Sequence, residues 1–194
     1  MRWSLGDDRR AEVMRYRRST VSGATYFFTV VTYQRRPLFA DAQAVDMLRQ
    51  AVEHVVKKRS FVIEAEVVLP DHLHTLWTLP EDDCDYSTRW RLIKEGFTRQ
   101  YIARFGEQQR DRRRSARRER TIWQRRFWEH LIRDDRDFAA HLDYIHLNPV
   151  RHGLVKAARD WPHSTFPSWV GRGAYDLAWG SSGTPALPDW AGRE

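Results

Sequence analysis

Two histidines separated by one residue, His72 and His74, are the first side chains whose types and spacing could do chemistry. They follow the turn dipeptide Pro70-Asp71 and open the segment HLHTLWTL, which is typical of a β-strand. Side chains two residues apart on a strand share a face, so we expect both imidazoles to point together while Leu73 points into the core. This arrangement suits two ligands of one metal ion. It also suits two surface histidines, because a bare His-x-His is a weak signal.

A tyrosine and an asparagine form the second group. The segment FAAHLDYIHLNP predicts a helix on which Tyr144 and Asn148 lie one turn apart, so that a phenol and an amide project side by side. Pro149 disfavours helical geometry at the residue before it, so we expect the helix to end at Asn148. Taken alone, the pair also fits a half-buried tyrosine with an asparagine cap. His141 falls on the same stripe and is a candidate for orienting Tyr144.

The two groups complement each other. Two imidazole nitrogens and one amide oxygen make three ligands with open positions for a substrate, a set that can hold Mg²⁺ or Mn²⁺. A structural zinc site usually has four protein ligands including cysteine, and Cys84 is the single cysteine. Such a metal would polarise a phosphoryl oxygen. Tyr144 would need a base, a metal or a cationic setting to act as a nucleophile, and Arg125 and Arg126 could supply positive charge.

The charge balance predicts a polyanionic partner. Lys plus Arg is 33 and Asp plus Glu is 26, giving a net charge of +7, and nearly all the positive charge is arginine. The planar guanidinium suits phosphate, and a basic chain of this kind favours nucleic acid. A merely soluble surface remains the alternative. The candidates for nucleic-acid contact are Arg35, Arg36, Arg112, Arg113, Arg114, Arg117, Arg118, Arg125 and Arg126.

The elements that must position these residues follow from hydrophobic periodicity. The pattern predicts strands at 24–33, 61–69, 72–79 and 122–132 and helices at 42–58, 87–105 and 134–148. The first six elements match the βαββαβ ferredoxin-like arrangement, an α+β fold with an antiparallel sheet and two helices on one face. The seventh is an additional C-terminal helix that carries the tyrosine.

The chain divides into three parts by composition. We expect a basic arm over 1–23, one domain over 24–155 with a basic insertion at 107–120, and a partly ordered tail over 156–194. No apolar run reaches the ~18 residues that a membrane span needs. The first residues do not have the apolar stretch of a secretory signal. We therefore expect a cytoplasmic protein.

These motifs together resemble the HUH single-tyrosine transposases, and more closely their REP-associated tyrosine transposase subgroup. Four stretches carry the resemblance, namely YFFTVVTYQRRPLF, EAEVVLPDHLHTLW, WQRRFWEHLIRDDRDFAAHLDYIHLNPVRHGLV and DWPHST. The chain departs from the family in two places. Asn148 stands where many relatives outside the subgroup have Gln, and His163 stands where the family tail motif has Trp.

The resemblance implies an enzyme that cleaves and rejoins single-stranded DNA bearing a hairpin, such as a REP palindrome. It makes His72, His74 and Asn148 the ligands of Mg²⁺ or Mn²⁺ and Tyr144 the nucleophile. Attack by the tyrosine would leave a 5′-phosphotyrosine link and a free 3′-hydroxyl. The subgroup suggests a monomer, although insertion-sequence relatives work as dimers.

Two alternatives stay open from the sequence. One is a nickase of the rolling-circle type, which we disfavour because such enzymes usually carry further domains. The other is a module that binds hairpins without catalysis. Formation of a covalent DNA adduct separates the enzymes from the binding module.

Overall fold

Four strands form one antiparallel sheet in the order β2-β3-β1-β4. The computed structural model describes residues 20–106 and 121–181. The strands are β1 (Thr25–Val31), β2 (Val62–Val68), β3 (His72–Thr78) and β4 (Trp128–Leu131). With a helix after β1 and another after β3, this order is that of the βαββαβ arrangement. The α+β class predicted from the sequence is confirmed.

Helices α1 (Ala42–Lys58) and α2 (Tyr86–Phe105) pack on one face of the sheet. Each begins at an aspartate whose side chain accepts a backbone N–H of the first turn, Asp41 for α1 and Asp85 for α2. The core beneath them is strongly aromatic. The rings of Trp77 from β3 and Trp90 from α2, for example, stack with centroids 4.1 Å apart.

The opposite face of the sheet carries α3 (Asp135–Arg151) and the short α4 (Phe166–Gly171). Successive side chains of a strand point to opposite faces, so Phe28 packs towards α1 and α2 whereas Phe27 packs with Tyr144 and Ile145 of α3. The sheet is thus covered on both sides. The helix that carries the tyrosine belongs to the face that the ferredoxin-like helices leave uncovered.

Helix α3 runs three residues beyond its predicted end. Pro149 lies inside its last turn, and the helix continues to Arg151. A proline lacks one N–H donor, but near the C-terminus this removes a single backbone bond. The N–H of His152 still donates to the carbonyl of Asn148 (3.0 Å). The expectation that the helix stops at Asn148 is therefore wrong.

The last strand is shorter than predicted. Residues 122–132 were expected to form one strand, but β4 covers only Trp128–Leu131, and Trp123 makes an isolated bridge to Thr32. Residues 124–126, Gln-Arg-Arg, are exposed between these two contacts. Because polar side chains lie on both faces of this stretch, neither face packs against the core, and the stretch does not pair as a strand.

The tail lies along the free edge of β2. The N–H of Val68 donates to the carbonyl of His163, and the N–H of Thr165 donates to the carbonyl of Glu66, each at 2.9 Å. The Thr165 hydroxyl also accepts the N–H of Glu66 (2.9 Å). An exposed edge strand is a template for unwanted pairing, and this segment covers it.

The proposed division of the chain reaches beyond the described residues. Most of the arm at 1–23, the basic insertion at 107–120 and the end of the tail after 181 lie outside them. Among the residues that are described, no helix combines the length and apolar character needed to cross a membrane.

Candidate active site

Strand β3 places His72 and His74 on the face that α3 covers. Their ring centroids are 4.8 Å apart, and both side chains are buried. In the sheet, His74 pairs with Thr29 and His72 with Val31 of the neighbouring β1. The two imidazoles therefore share one face, as two-residue spacing on a strand requires.

A carboxylate fixes the orientation of His72. Its Nδ1 lies 2.5 Å from Oδ1 of Asp71, whose other oxygen accepts a hydrogen bond from Arg35 (3.1 Å). Burial alone would raise the pKa of Asp71, but the hydrogen bonds and charges of His72 and Arg35 outweigh it and lower the pKa. An ionised carboxylate only accepts, so Nδ1 of His72 donates, and the neutral form of this imidazole carries its lone pair on Nε2. This is the arrangement of metal-binding histidines backed by a carboxylate.

His74 is held neutral by its surroundings. Burial, followed by the charges of His72 and His152, lowers its pKa well below the ordinary histidine value. Its Nδ1 shares a hydrogen bond with the hydroxyl of Thr29 (2.9 Å). A neutral imidazole is the form that ligates metals.

Helix α3 brings Tyr144 against this pair. The Tyr144 and His74 rings meet edge-on with centroids 5.1 Å apart. Phe27 supports both, because its ring stacks on His74 at 5.5 Å and meets Tyr144 edge-on at 5.9 Å. Residues 70 positions apart in the chain are thus in contact in the folded domain.

Asn148 lies one turn further along α3 and is 2% exposed. Within the described residues, its Oδ1 is buried and has no hydrogen-bond partner. A buried acceptor without a hydrogen-bond partner destabilises the fold by about 1–3 kcal/mol. A cation bound to this oxygen would offset that destabilisation. Together with the backing of His72 and the neutrality of His74, this donor set suits a divalent metal ion.

Two residues just after Asn148 were missed by the sequence analysis. The guanidinium of Arg151 lies over the Tyr144 ring, 5.4 Å from its centroid, and the His152 ring is 5.4 Å from that of His72. One face of α3 carries Tyr144, Asn148 and Arg151, at positions i, i+4 and i+7. Extending the helix through Pro149 would have revealed Arg151.

A second group of possible ligands, His130, Asp137 and His141, lies on the other side of Phe27. Their ligand atoms are within 4.8 Å of one another. Asp137 already accepts from Arg133 Nε (2.9 Å) and pairs with His130 Nε2 (2.9 Å). Because Oδ2 of Asp137 takes both the Arg133 guanidinium and the His130 ring, we interpret the group as a link between β4 and α3. The His141 ring contacts Phe27 at 4.7 Å, and the Phe27 ring in turn contacts Tyr144.

The candidate arginines fall into four groups. Arg35 is bonded to Asp71, and the exposed Arg125 and Arg126 lie in the loop before β4. Arg36 donates to the carbonyl of Thr121 (3.1 Å). Arg112, Arg113, Arg114, Arg117 and Arg118 lie outside the described residues.

Comparison with known proteins gives matches over most of the chain. The family model described as "Transposase IS200 like" matches residues 20–148. A REP-associated tyrosine transposase from Escherichia coli (strain K12) is 46% identical over 164 residues, which is 84% of this chain and 89% of the relative. A relative from Haemophilus influenzae is 43% identical over 172 residues, 89% of this chain and 95% of its own length.

A solved structure also matches. It shows a REP-associated tyrosine transposase bound to a REP hairpin, and it has 44% sequence identity to this chain. The TM-score is 0.72, with 90% of this chain and 93% of that one covered.

Proposed function

The chain belongs to the IS200-like transposase family, and from that premise we propose that Tyr144 is the nucleophile with which it cuts and rejoins hairpin-bearing single-stranded DNA. The family cleaves single-stranded DNA through a tyrosine and depends on a metal, so the chain is a DNA strand transferase. The observation that carries the residue assignment is the contact of Tyr144 with His74 across the face of the sheet.

The reaction proposed for this site is a phosphoryl transfer. The Tyr144 oxygen attacks the scissile phosphorus, the bond from phosphorus to the 3′-oxygen breaks, and the strand leaves with a free 3′-hydroxyl. The other strand end stays attached as a 5′-phosphotyrosine. Because the ester is kept, a second 3′-hydroxyl can reverse the step without an external energy source. Holding the reactants in line supplies much of the acceleration.

We propose His72, His74 and Asn148 as the residues that hold Mg²⁺ or Mn²⁺. When bound, the ion supplies Lewis-acid polarisation of the phosphate. Asp71 and Thr29 orient the two imidazoles through their Nδ1 atoms. Arg151 adds a fixed positive charge beside the Tyr144 ring, which stabilises the phenolate that attacks.

The partner that we propose is single-stranded DNA with a hairpin. A relative 44% identical to this chain is bound to a REP hairpin, and the chain carries a net charge of +7. The arginines proposed to contact it are Arg35, Arg36, Arg112, Arg113, Arg114, Arg117, Arg118, Arg125 and Arg126. We propose that the protein acts as a monomer, because Tyr144 and His74 meet within a single chain.

A covalent-adduct assay tests the nucleophile. Wild-type protein is incubated with Mn²⁺ and a hairpin oligonucleotide labelled at one end, and the products are separated under denaturing conditions. The 5′-phosphotyrosine predicts that a 3′-end label migrates with the protein while a 5′-end label stays on a free fragment. Tyr144→Phe should form no adduct and should still bind the hairpin.

The matched control is Tyr101→Phe, which removes the same atom from a tyrosine packed in the core on the opposite face of the sheet. It should form the adduct at the wild-type level. An adduct formed by Tyr144→Phe, or none formed by the wild type, contradicts the proposal.

A further inference from the structure

Arg35 lies in a strained turn directly after strand β1. It has a φ of +51°, and its neighbour Gln34 has a φ of +55°. Residues other than glycine rarely adopt this left-handed region, and strain of this kind persists where surrounding contacts enforce it, often at functional sites. Two consecutive residues in this region indicate that the turn is held in place by its neighbours.

The turn is tied to the segment that precedes His72. The N–H of Thr32 donates to the carbonyl of Asp71 (2.9 Å), and the Thr32 hydroxyl donates to the same carbonyl (2.8 Å). The N–H of Arg35 in turn donates to the carbonyl of Thr32 (3.1 Å). The backbone of Arg35 therefore has a fixed position relative to the strand that carries both histidines.

The side chain of Arg35 is joined to His72 through one carboxylate. Arg35 Nη1 donates to Oδ2 of Asp71 (3.1 Å), and Nδ1 of His72 donates to Oδ1 (2.5 Å). Within the described residues, these are the hydrogen bonds of the Asp71 carboxylate, which is 22% exposed. Without Arg35, one of its oxygens would face water, and the carboxylate could rotate away from the imidazole.

The ion pair between Arg35 and Asp71 contributes little to folding by itself. The side chain of Arg35 is 51% exposed, and ion pairs that water screens add little stability. A strained turn that served this pair alone would weaken the fold. The effect of the pair is local, because it holds the carboxylate where it orients His72. Partners of this kind, one shell outside a metal ligand, control metal affinity.

We propose that Arg35 is a positioning residue of the metal site, which acts through Asp71 to keep Nε2 of His72 available as a ligand. The inference rests on the proposed function, because it takes His72 as a ligand of Mg²⁺ or Mn²⁺. It gives Arg35 a role in addition to the DNA contact proposed for it.

Positioning and charge predict opposite effects when Arg35 is removed. A guanidinium repels a dication, so loss of its charge alone would tighten metal binding. Loss of its positioning effect would weaken metal binding, because the His72 ring would no longer be held. The sign of the change therefore separates the two roles.

The test is Mn²⁺ binding by the full-length protein without DNA. Unbound Mn²⁺ is measured by its electron paramagnetic resonance signal during a titration. Arg35→Met should weaken Mn²⁺ binding between about 10-fold and 100-fold, the range for loss of a residue that supports a metal ligand. Arg35→Lys keeps the charge and one donor, so its affinity should lie between those of the wild type and Arg35→Met.

A double-mutant cycle shows whether Arg35 acts through Asp71. Asp71→Ala should weaken Mn²⁺ binding at least as much as Arg35→Met does. Because the carboxylate is then absent, adding Arg35→Met to Asp71→Ala should cause no further loss. The matched control is Arg99→Met, which removes the same charge from the exposed outer side of α2 and should leave Mn²⁺ affinity unchanged.

Three results overturn the inference: unchanged or tighter Mn²⁺ binding by Arg35→Met, additive losses in the double variant, or an equal loss with Arg99→Met. Melting curves without metal check that each variant is folded. If Arg35→Met does not fold, Arg35→Gln takes its place and should weaken binding in the same direction.

Failure of this inference is distinct from failure of the proposed function. Wild-type protein that binds Mn²⁺ no better than Arg35→Met does would contradict the inference alone. Wild-type protein that binds no Mn²⁺ would contradict both the inference and the proposed ligands. The adduct assay for Tyr144 is a separate measurement.

Discussion

At the scale of residues, the candidate active site depends on side chains that orient other side chains. Asp71 fixes His72, Thr29 fixes His74, and Phe27 supports both His74 and Tyr144. These supporting residues do not have to touch the substrate. Their positions decide whether the imidazoles and the phenol face one point, which is what a preorganised phosphoryl-transfer site needs.

Asn148→Leu should abolish stabilisation of the protein by Mn²⁺ without impairing its folding. The change removes a buried oxygen that has no hydrogen-bond partner in the described residues, so the metal-free protein should be as stable as the wild type or more stable, by up to about 1–3 kcal/mol. Mn²⁺ should raise the melting temperature of the wild type and not that of the variant. Melting curves with and without MnCl₂ measure both effects. An equal Mn²⁺ shift in the variant would exclude Asn148 as a ligand.

Arg151→Gln should slow adduct formation by about 2-fold to 30-fold, the range for loss of one cation at an aromatic ring. The reason is that the guanidinium lies 5.4 Å from the centre of the Tyr144 ring and favours the charged phenolate. Single-turnover rates with saturating hairpin DNA give the comparison. Arg159→Gln, a change at an exposed residue in the tail, is the control. A normal rate with Arg151→Gln would show that the contact has no catalytic effect.

At the scale of elements, short-range periodicity predicts most of the fold. Spacing of two on β3 and of four on α3 is local, so the shared faces of His72 with His74 and of Tyr144 with Asn148 follow from the sequence. Long-range register is not local. The pairing of Thr29 with His74 therefore could not be predicted, and neither could the covering of β2 by the tail.

Strand β2 shows a second limit of prediction. Simple alternation puts Phe61 and Ile63 on the same face as Ala65 and Val67. The register shifts between Ile63 and Ala65, so the first two pack towards α1 and α2 and the last two towards α3. A bulge adds one residue and exchanges the faces, and no residue type in this stretch marks it.

Asp137→Asn tests the link between β4 and α3. Burial alone would raise the pKa of Asp137, but hydrogen bonds from Arg133 and His130 hold it at about 2. A lowered carboxyl pKa stabilises the fold above the unfolded value near 3.8, and this stabilisation is lost as the pH falls towards 2. The variant should be less stable at pH 7 by about 2 kcal/mol, and the difference should shrink below pH 4.

Urea unfolding at pH 7, 5 and 3 measures this difference. Asp135→Asn changes an exposed carboxylate in the same first turn of α3, and it should cost less. A pH-independent difference between wild type and Asp137→Asn would contradict the assignment.

At the scale of the whole molecule, the two faces of the sheet have different roles. Helices α1 and α2 cover one face with an aromatic core, and α3 covers the other face and delivers Tyr144 to β3. Tyr144, the proposed nucleophile, and both imidazoles come from one chain. The contacts within this chain thus assemble the proposed site without a second copy.

A mixing experiment tests that organisation. Tyr144→Phe is combined with His74→Ala, so that each chain lacks a different part of the site. If every site is built from one chain, the mixture should form no more adduct than the two variants do separately. A mixture that recovers about one quarter or more of the wild-type yield would require exchange of α3 between chains, as in a swapped dimer. The wild type mixed with either variant serves as the reference.

The covering of β2 has a consequence for synthesis of the protein. Thr165 closes the edge of β2 at Glu66, 99 positions earlier in the chain. A ribosome makes these residues in order, so the edge of β2 stays uncovered until the whole proposed domain and the first residues of the tail have been translated. Chains that are released before residue 163 has been added would keep the edge of β2 exposed. They should aggregate through backbone hydrogen bonds between their exposed edges.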